Sequence, residues 1–453
     1  MRSNFSIYFL LVATLLSIAC AKPKQQLTTV ISGKLINWGN AEKILRAEDI
    51  KSDFGLGQSF ILTTDENDRF TVTFDLEEAT YFSLGRNKLF IQPGDQLDME
   101  VDYRDPEVGV FQGDGAEIQA YLGGVAFPKS GSYLQGGTNV KGPEMAPIIA
   151  LAKEKTEERA EALMQLGAVS QEFIKLEEMR LRLDYLNTIL SFPIYGSFKN
   201  YWENTEDKKA EILLAAKKEL DSASNGIMKD EYMKHPNFRD MLLTFSDGQI
   251  KTSGIFTDLK MTDFMKEYDA LGAFISELEL GGLTSSMQAK ADVFMNEQHS
   301  TEYQEMVQLK LNEYQALEKG QPAIDVTFKT VDDAPVSLSQ FKGKLTYVDL
   351  WATWCGPCID ELPAFEKLRN DYADQNINFV PVSIDTDLNA WKKYLQKHNL
   401  TENELVINRL DLADYKVITI PRYLLIDKDF KIITVFAPKP SSEELRKLID
   451  QYL

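Results

Sequence analysis

From Leu27 to about Phe111, apolar and polar positions alternate in short runs. Arg69-Phe70-Thr71-Val72-Thr73-Phe74 repeats with period two. That period turns one face of a strand to a core and the other to water. Turn chemistry separates the runs. Asp65-Glu66-Asn67-Asp68 precedes this one, and Leu89-Phe90-Ile91 leads into Pro93-Gly94-Asp95. Leu97-Asp98-Met99-Glu100-Val101 alternates again. The spacing predicts about five to seven short strands over 27–115, closed into a small sandwich or barrel.

Around Gly113 the texture changes. Gly123-Gly124, Gly131 and Gly136-Gly137 mark an irregular stretch. From Pro147 to Lys319 the apolar residues then recur at three and four. Ile148–Leu166, Ser170–Leu190, Lys208–Leu220 and Thr301–Leu317 read as amphipathic helices. Breaks fall at Asn225-Gly226, His235-Pro236 and Gly281-Gly282, and no fixed-period repeat is evident. Gly320-Gln321-Pro322 punctuates the last helix. From Ile324 onward strand, helix and strand patterns alternate. The predicted fold class is multidomain: a small all-β N-terminal domain (27–115), an α-helical middle domain (116–320) and a C-terminal α/β domain (321–453).

The first residues follow another grammar. Met1-Arg2-Ser3-Asn4 is a short basic start, Phe5 to Leu16 is apolar, and Ser17-Ile18-Ala19 are mostly small residues before Cys20. This is the pattern of a secretory signal peptide. The run is shorter than the roughly 20 residues that span a bilayer. Residues 1–19 are expected to be cleaved, which puts the mature chain in the cell envelope, outside the cytoplasm.

Composition narrows the function. The chain has 453 residues, a net charge of −20, three histidines and three cysteines. So acidic a surface argues against general nucleic-acid binding. Residues 322–453 hold 16 basic and 20 acidic residues, so they carry only −4 of the −20. His235, His299 and His398 stand alone, without metal-ligand spacing. The cysteines are one isolated residue, Cys20, and one pair, Cys355 and Cys358.

The pair carries the sharpest chemical signal. Trp354-Cys355-Gly356-Pro357-Cys358 follows an apolar strand-like run, Leu345 to Leu350, and precedes a helix-like stretch, Ile359 to Tyr372. At a strand-to-helix junction the first cysteine meets free backbone N–H groups and the positive end of the helix dipole. Both favour its thiolate. Two intervening residues let the second sulfur reach the first, so a mixed disulfide can be resolved internally. A zinc site would need two further ligands, and none cluster here. A purely structural disulfide would close too short a loop to gain much.

These residues resemble the active-site motif of the thioredoxin fold. The longer string Trp351-Ala352-Thr353-Trp354-Cys355-Gly356-Pro357-Cys358-Ile359-Asp360-Glu361-Leu362-Pro363 is similar to the TlpA/ResA-like branch, with its C-x-x-C-x-x-E-x-P pattern. Tyr415 to Asp427 resembles the family's cis-proline segment. Two residues depart from the pattern: Arg422 where threonine is common, and Phe430 where glycine is common. Arg422 is expected to alter partner preference. The resemblance covers about 130 residues. More weakly, the preceding segments resemble those of Bacteroidota-type lipoproteins. The placement of Cys20 resembles a lipoprotein signal, with Ser17 where leucine is usual. This implies lipid attachment at Cys20, with 20–26 as a tether.

The resemblance implies the roles. Cys355 is the attacking thiolate and Cys358 the resolving thiol, the two forming the redox-active disulfide. Asp349, six residues before Cys355, is a buried acid that exchanges a proton with the resolving cysteine. Glu361 tunes the thiols. Ile420 and cis-Pro421 dock substrate, and Trp354 offers an exposed contact. No cofactor and no metal are implied. The expected activity is reduction of disulfides in other envelope proteins, in apocytochrome maturation or repair, by a monomer supplied by a membrane electron donor. A disulfide oxidase or isomerase, or a binding lipoprotein using the domain as a redox-sensitive clamp, stays open at this point.

Overall fold

The computed structural model describes residues 28–39, 41–124, 131–246, 254–297, 299–400 and 403–453. Cys20 and the rest of 1–27 lie outside the described residues. The chain forms two compact units. One runs to Glu48 and includes Ser59–Phe192, and the other combines Asp49–Gln58 with Pro193–Leu453.

The first unit opens with β1 (Thr28–Ile36), β2 (Ile44–Ala47), β3 (Ser59–Ile61), β4 (Arg69–Asp75), β5 (Thr80–Leu84), β6 (Asn87–Ile91), β7 (Gln96–Asp102) and β8 (Val110–Gly113). They make two four-stranded sheets, ordered β4-β1-β7-β8 and β3-β2-β5-β6. That is eight strands among the described residues, against the five to seven expected. The shortest, β3, has only three residues, too few for alternation to register. Ile31, Leu35, Leu45, Phe70, Phe82, Leu89 and Met99 pack together as the core of this unit. The opposite parity on β5 and β6 is also buried, because Tyr81 and Phe90 pack under helices.

Those helices are α2 (Ala116–Gly124), α3 (Ala146–Met164) and α4 (Gln171–Phe198), after a short α1 (Ile50–Asp53) that belongs to the second unit. The α2 helix falls in the glycine-marked stretch read as irregular. Ile118, Tyr121 and Leu122 give it a buried stripe at helical spacing, which outweighs the glycines at its end. Four charges are buried between α3 and α4. Arg180 pairs with Glu177 at 2.7 Å, while Arg159 lies 3.8 Å from Glu177 and 3.9 Å from Asp184.

In the second unit follow α5 (Glu206–Leu214), α6 (Lys217–Ser224), α7 (Pro236–Ser246), α8 (Asp263–Gly281), α9 (Ser285–Asn296) and α10 (Thr301–Gln315). The single helix expected over 208–220 is two, broken at Ala215-Ala216. Leu271, Phe274, Ile275, Tyr303, Met306 and Val307 bind α8 to α10, with Phe54 from the 49–58 segment in the same cluster. Asp53 anchors that segment, accepting hydrogen bonds from Arg239 and from Tyr268, the latter at 2.7 Å.

The α/β part adds β9 (Thr327–Thr330), β10 (Pro335–Ser337), β11 (Leu345–Trp351), β12 (Ile377–Ser383), β13 (Leu405–Val406), β14 (Arg422–Ile426) and β15 (Ile432–Thr434), with α11 (Gly356–Asp371), α12 (Leu388–His398) and α13 (Glu443–Tyr452). The sheet order is β10-β9-β13-β12-β11-β14-β15. Central β11 runs parallel to β12 and antiparallel to β14. Every residue of β11 is buried, because helices cover both faces. Its C-terminal end, where the chain turns into α11, is therefore a crevice edge of the kind that holds ligands in open α/β sheets. Among the described residues, no helix is long and apolar enough to cross a membrane.

Candidate active site around Cys355 and Cys358

Cys355 caps α11. Its φ of −91° and ψ of 96° are extended, and the Cys358 N–H donates to its Sγ at 3.3 Å. The four N–H groups of a helix's first turn lack intrahelical partners, so this sulfur holds a place ready for a negative charge. Pro357 fits the first turn, where its missing N–H costs nothing. Cys355 and Cys358 are joined by a disulfide, their Cα atoms 5.3 Å apart. Both are nearly buried, whereas Trp354 beside them is 65% exposed.

Asp385, which sequence reasoning missed, sets the approach to the cysteine. It sits two residues past β12 and is buried. It accepts from the Thr353 N–H at 2.9 Å, the Thr353 hydroxyl at 2.7 Å and the Ser383 hydroxyl at 2.7 Å. The turn before Cys355 is thus tied to the neighbouring strand.

Asp349 lies under α11. Tyr347 packs against Phe365 of that helix, and period-two geometry puts Asp349 on the same face. Burial, then the charge of Glu361, pushes its carboxyl up to about 8. A second buried carboxyl, Glu404, was also missed. It precedes β13, where the register Leu350–Val382–Leu405 sets it level with Pro381 and Asp349. Burial, then repulsion by Asp349, pushes it up to about 8 as well. Its only sequence signal is a carboxylate directly before an apolar run.

Glu361 stands on the first turns of α11 and accepts from Lys439 Nζ at 2.9 Å, the Ser441 N–H at 3.0 Å and the Ser441 hydroxyl at 2.9 Å. Burial alone would raise its carboxyl. These hydrogen bonds outweigh that and hold it below the ordinary glutamate range. Its charge bears on Asp349.

The Ile420–Pro421 peptide is cis, and both residues are half-buried at the start of β14. Arg422, expected to alter partner preference, is turned inward. It is only 5% exposed, so its guanidinium does not face a partner. It lies over the Phe436 ring, 3.9 Å from the centroid, and donates to the Glu279 carbonyl at 3.1 Å. Phe430, in place of the common glycine, keeps the left-handed backbone of such a turn, with φ of 65°.

The Redoxin family model matches residues 318–450, which contain all of these groups. Over 138 residues the chain is 30% identical to the thioredoxin-like protein YneN of Bacillus subtilis, covering 30% of this chain and 80% of that one. The chain belongs to the thioredoxin-like thiol-disulfide oxidoreductases. It is also 26% identical over 134 residues to the thiol-disulfide oxidoreductase ResA of Bacillus thuringiensis, covering 29% of this chain and 78% of that protein. Among solved structures, a chain from Bacteroides vulgatus described as a candidate thiol-disulfide oxidoreductase is 46% identical. That match covers 30% of this chain and 99% of the other, with a TM-score of 0.30. Membership of the thiol-disulfide oxidoreductases rests on the C-terminal part alone, and residues before 318 lie outside the family match.

Proposed function

We propose that this oxidoreductase works as a reductase of disulfides in other exported proteins, apocytochromes among them. The observation that carries the reading is Cys355 at the N-terminus of α11 with the Cys358 N–H on its sulfur. In the reduced protein the Cys355 thiolate attacks one sulfur of the substrate disulfide. A mixed disulfide forms and the first substrate sulfur leaves as thiolate. Cys358 then loses its proton and attacks the Cys355 sulfur. This closes the Cys355–Cys358 disulfide and releases the second substrate thiolate, so two electrons pass to the substrate. Asp349 is the proton acceptor for Cys358. A carboxyl pushed up to about 8 exchanges protons near neutral pH, as an ordinary aspartate does not.

The Gly356-Pro357 dipeptide is that of thioredoxin, a reductant at about −270 mV. A reductant in an oxidising compartment needs a supply, so a membrane electron donor re-reduces the pair. Lipid on Cys20 anchors the chain in the envelope. Redox titration of the chain lacking residues 1–20 tests the direction. A potential near −270 mV is expected, and one near roughly −120 mV would make the protein an oxidase. With insulin as substrate, Cys355→Ser abolishes turnover, and Cys358→Ser accumulates mixed disulfides with partners.

A further inference from the structure

The helices before the α/β part reach the cis-proline loop from both of its ends. After the loop, the buried Arg422 donates to the carbonyl of Glu279 in the last turn of α8. Carbonyls there lack intrahelical donors, and a cation is favoured at that end of the dipole. The same guanidinium stacks on Phe436. The end of α8 rests on this ring too. Gly282, the C-cap of α8, has φ of 75°, and a Cβ there would come within 2.5 Å of Phe436. Tyr314 of α10 stacks on the ring from 6.4 Å. Before the loop, Lys416 pairs with Glu313 of α10 at 3.1 Å. Between these anchors, Arg409 donates to the carbonyls of Val417 and Ile418.

We propose that α8 and α10 set the position of the cis-proline loop through Arg422, with Lys416 as a second tie, so that the helical segment governs how a protein disulfide docks beside Cys355. This rests on the disulfide-exchange reading above. Arginine suits the place because its planar fork can stack on a ring and donate to a carbonyl at once. Threonine is too short to reach either group. The Lys416–Glu313 pair, its side chains 25% and 27% exposed, is the weaker anchor. Arg422 touches no reacting atom in this scheme, so it is a positioning residue.

The test uses the whole chain after Cys20, reduced, with insulin as the protein disulfide and 5,5′-dithiobis(2-nitrobenzoate) as a small one that needs no docking strand. Arg422→Thr is expected to lose roughly tenfold in kcat/KM for insulin. The loss falls in KM, while the small-disulfide rate and the redox potential stay at the wild-type values. Arg422→Lys recovers part of the loss. Should Arg422→Thr not fold, Lys416→Gln carries the same comparison at a partly exposed position, with a smaller loss of the same kind. Wild-type rates on both substrates would overturn the proposal, as would an equal fall on both. A wild-type protein that reduces neither substrate would instead sink the disulfide-exchange reading, and this inference with it.

Discussion

Asp349→Asn isolates the cost of burying an acid beneath the active-site helix. Burial, then Glu361, pushes the Asp349 carboxyl to about 8, from 3.8. Between those values the folded protein keeps a proton that the unfolded chain has lost. The contribution to stability is therefore complete below about pH 4 and is lost as pH rises toward 8. At pH 7 about three units of that interval have been crossed, each worth about 1.4 kcal/mol, so the loss reaches about 4 kcal/mol. Asparagine stays neutral and loses nothing. An amide buried without partners costs about 1–3 kcal/mol, equally at every pH. The slope of the difference is thus the signature, and its offset is not. Urea unfolding of oxidised wild type and variant between about pH 5 and 9 should show the variant gaining steadily and then levelling above pH 8. Glu404, also pushed up to about 8, titrates in both proteins and largely cancels. Parallel curves across the whole range would refute the buried-acid account.

Glu361→Gln removes the charge that disfavours ionised Asp349, so the levelling point in the same experiment should move to lower pH. Because Glu361 itself is held low, wild type alone should then lose stability as pH falls through its carboxylate range. Asp385→Ala strips two hydrogen bonds from Thr353 in the turn before Cys355 and one from Ser383, and should destabilise by about 1–3 kcal/mol in urea unfolding, with Asp385→Asn recovering part. An unchanged midpoint for Asp385→Ala would show that the turn holds without it.

The legible parts of the site are those built from neighbours in sequence. Cys355, Cys358 and Asp349 share one strand-turn-helix unit, so the motif fixes their order along the chain and the apolar run of β11 signals burial. Asp385 and Glu404 share no local motif with the cysteines. They reach the site only when β12 and β13 line up beside β11. The contacts of Arg422 were illegible for the same reason: its acceptor lies 143 residues away in the chain. The buried charges of α3 and α4 stand in stretches that read as plain amphipathic helix, and Tyr81, 96 residues distant, supplies a hydrogen bond to Glu177 at 2.8 Å.

By itself the sequence determined the β, helical and α/β textures, in that order along the chain, and the close spacing of Cys355 and Cys358 at a strand-to-helix junction. Periodicity and a two-residue spacing are short-range properties that any window of the chain displays. Only the tertiary structure decided that residues 49–58, lying between β2 and β3, join the helices through Asp53, Arg239 and Tyr268. It alone decided that a second acid stands level with Asp349, and that the cis-proline loop is held by helices from outside its own fold. Those outcomes depend on which buried polar groups find partners once the layers close. A carbonyl at the end of α8 and a guanidinium beside a proline have no reason to meet until packing removes the water from both.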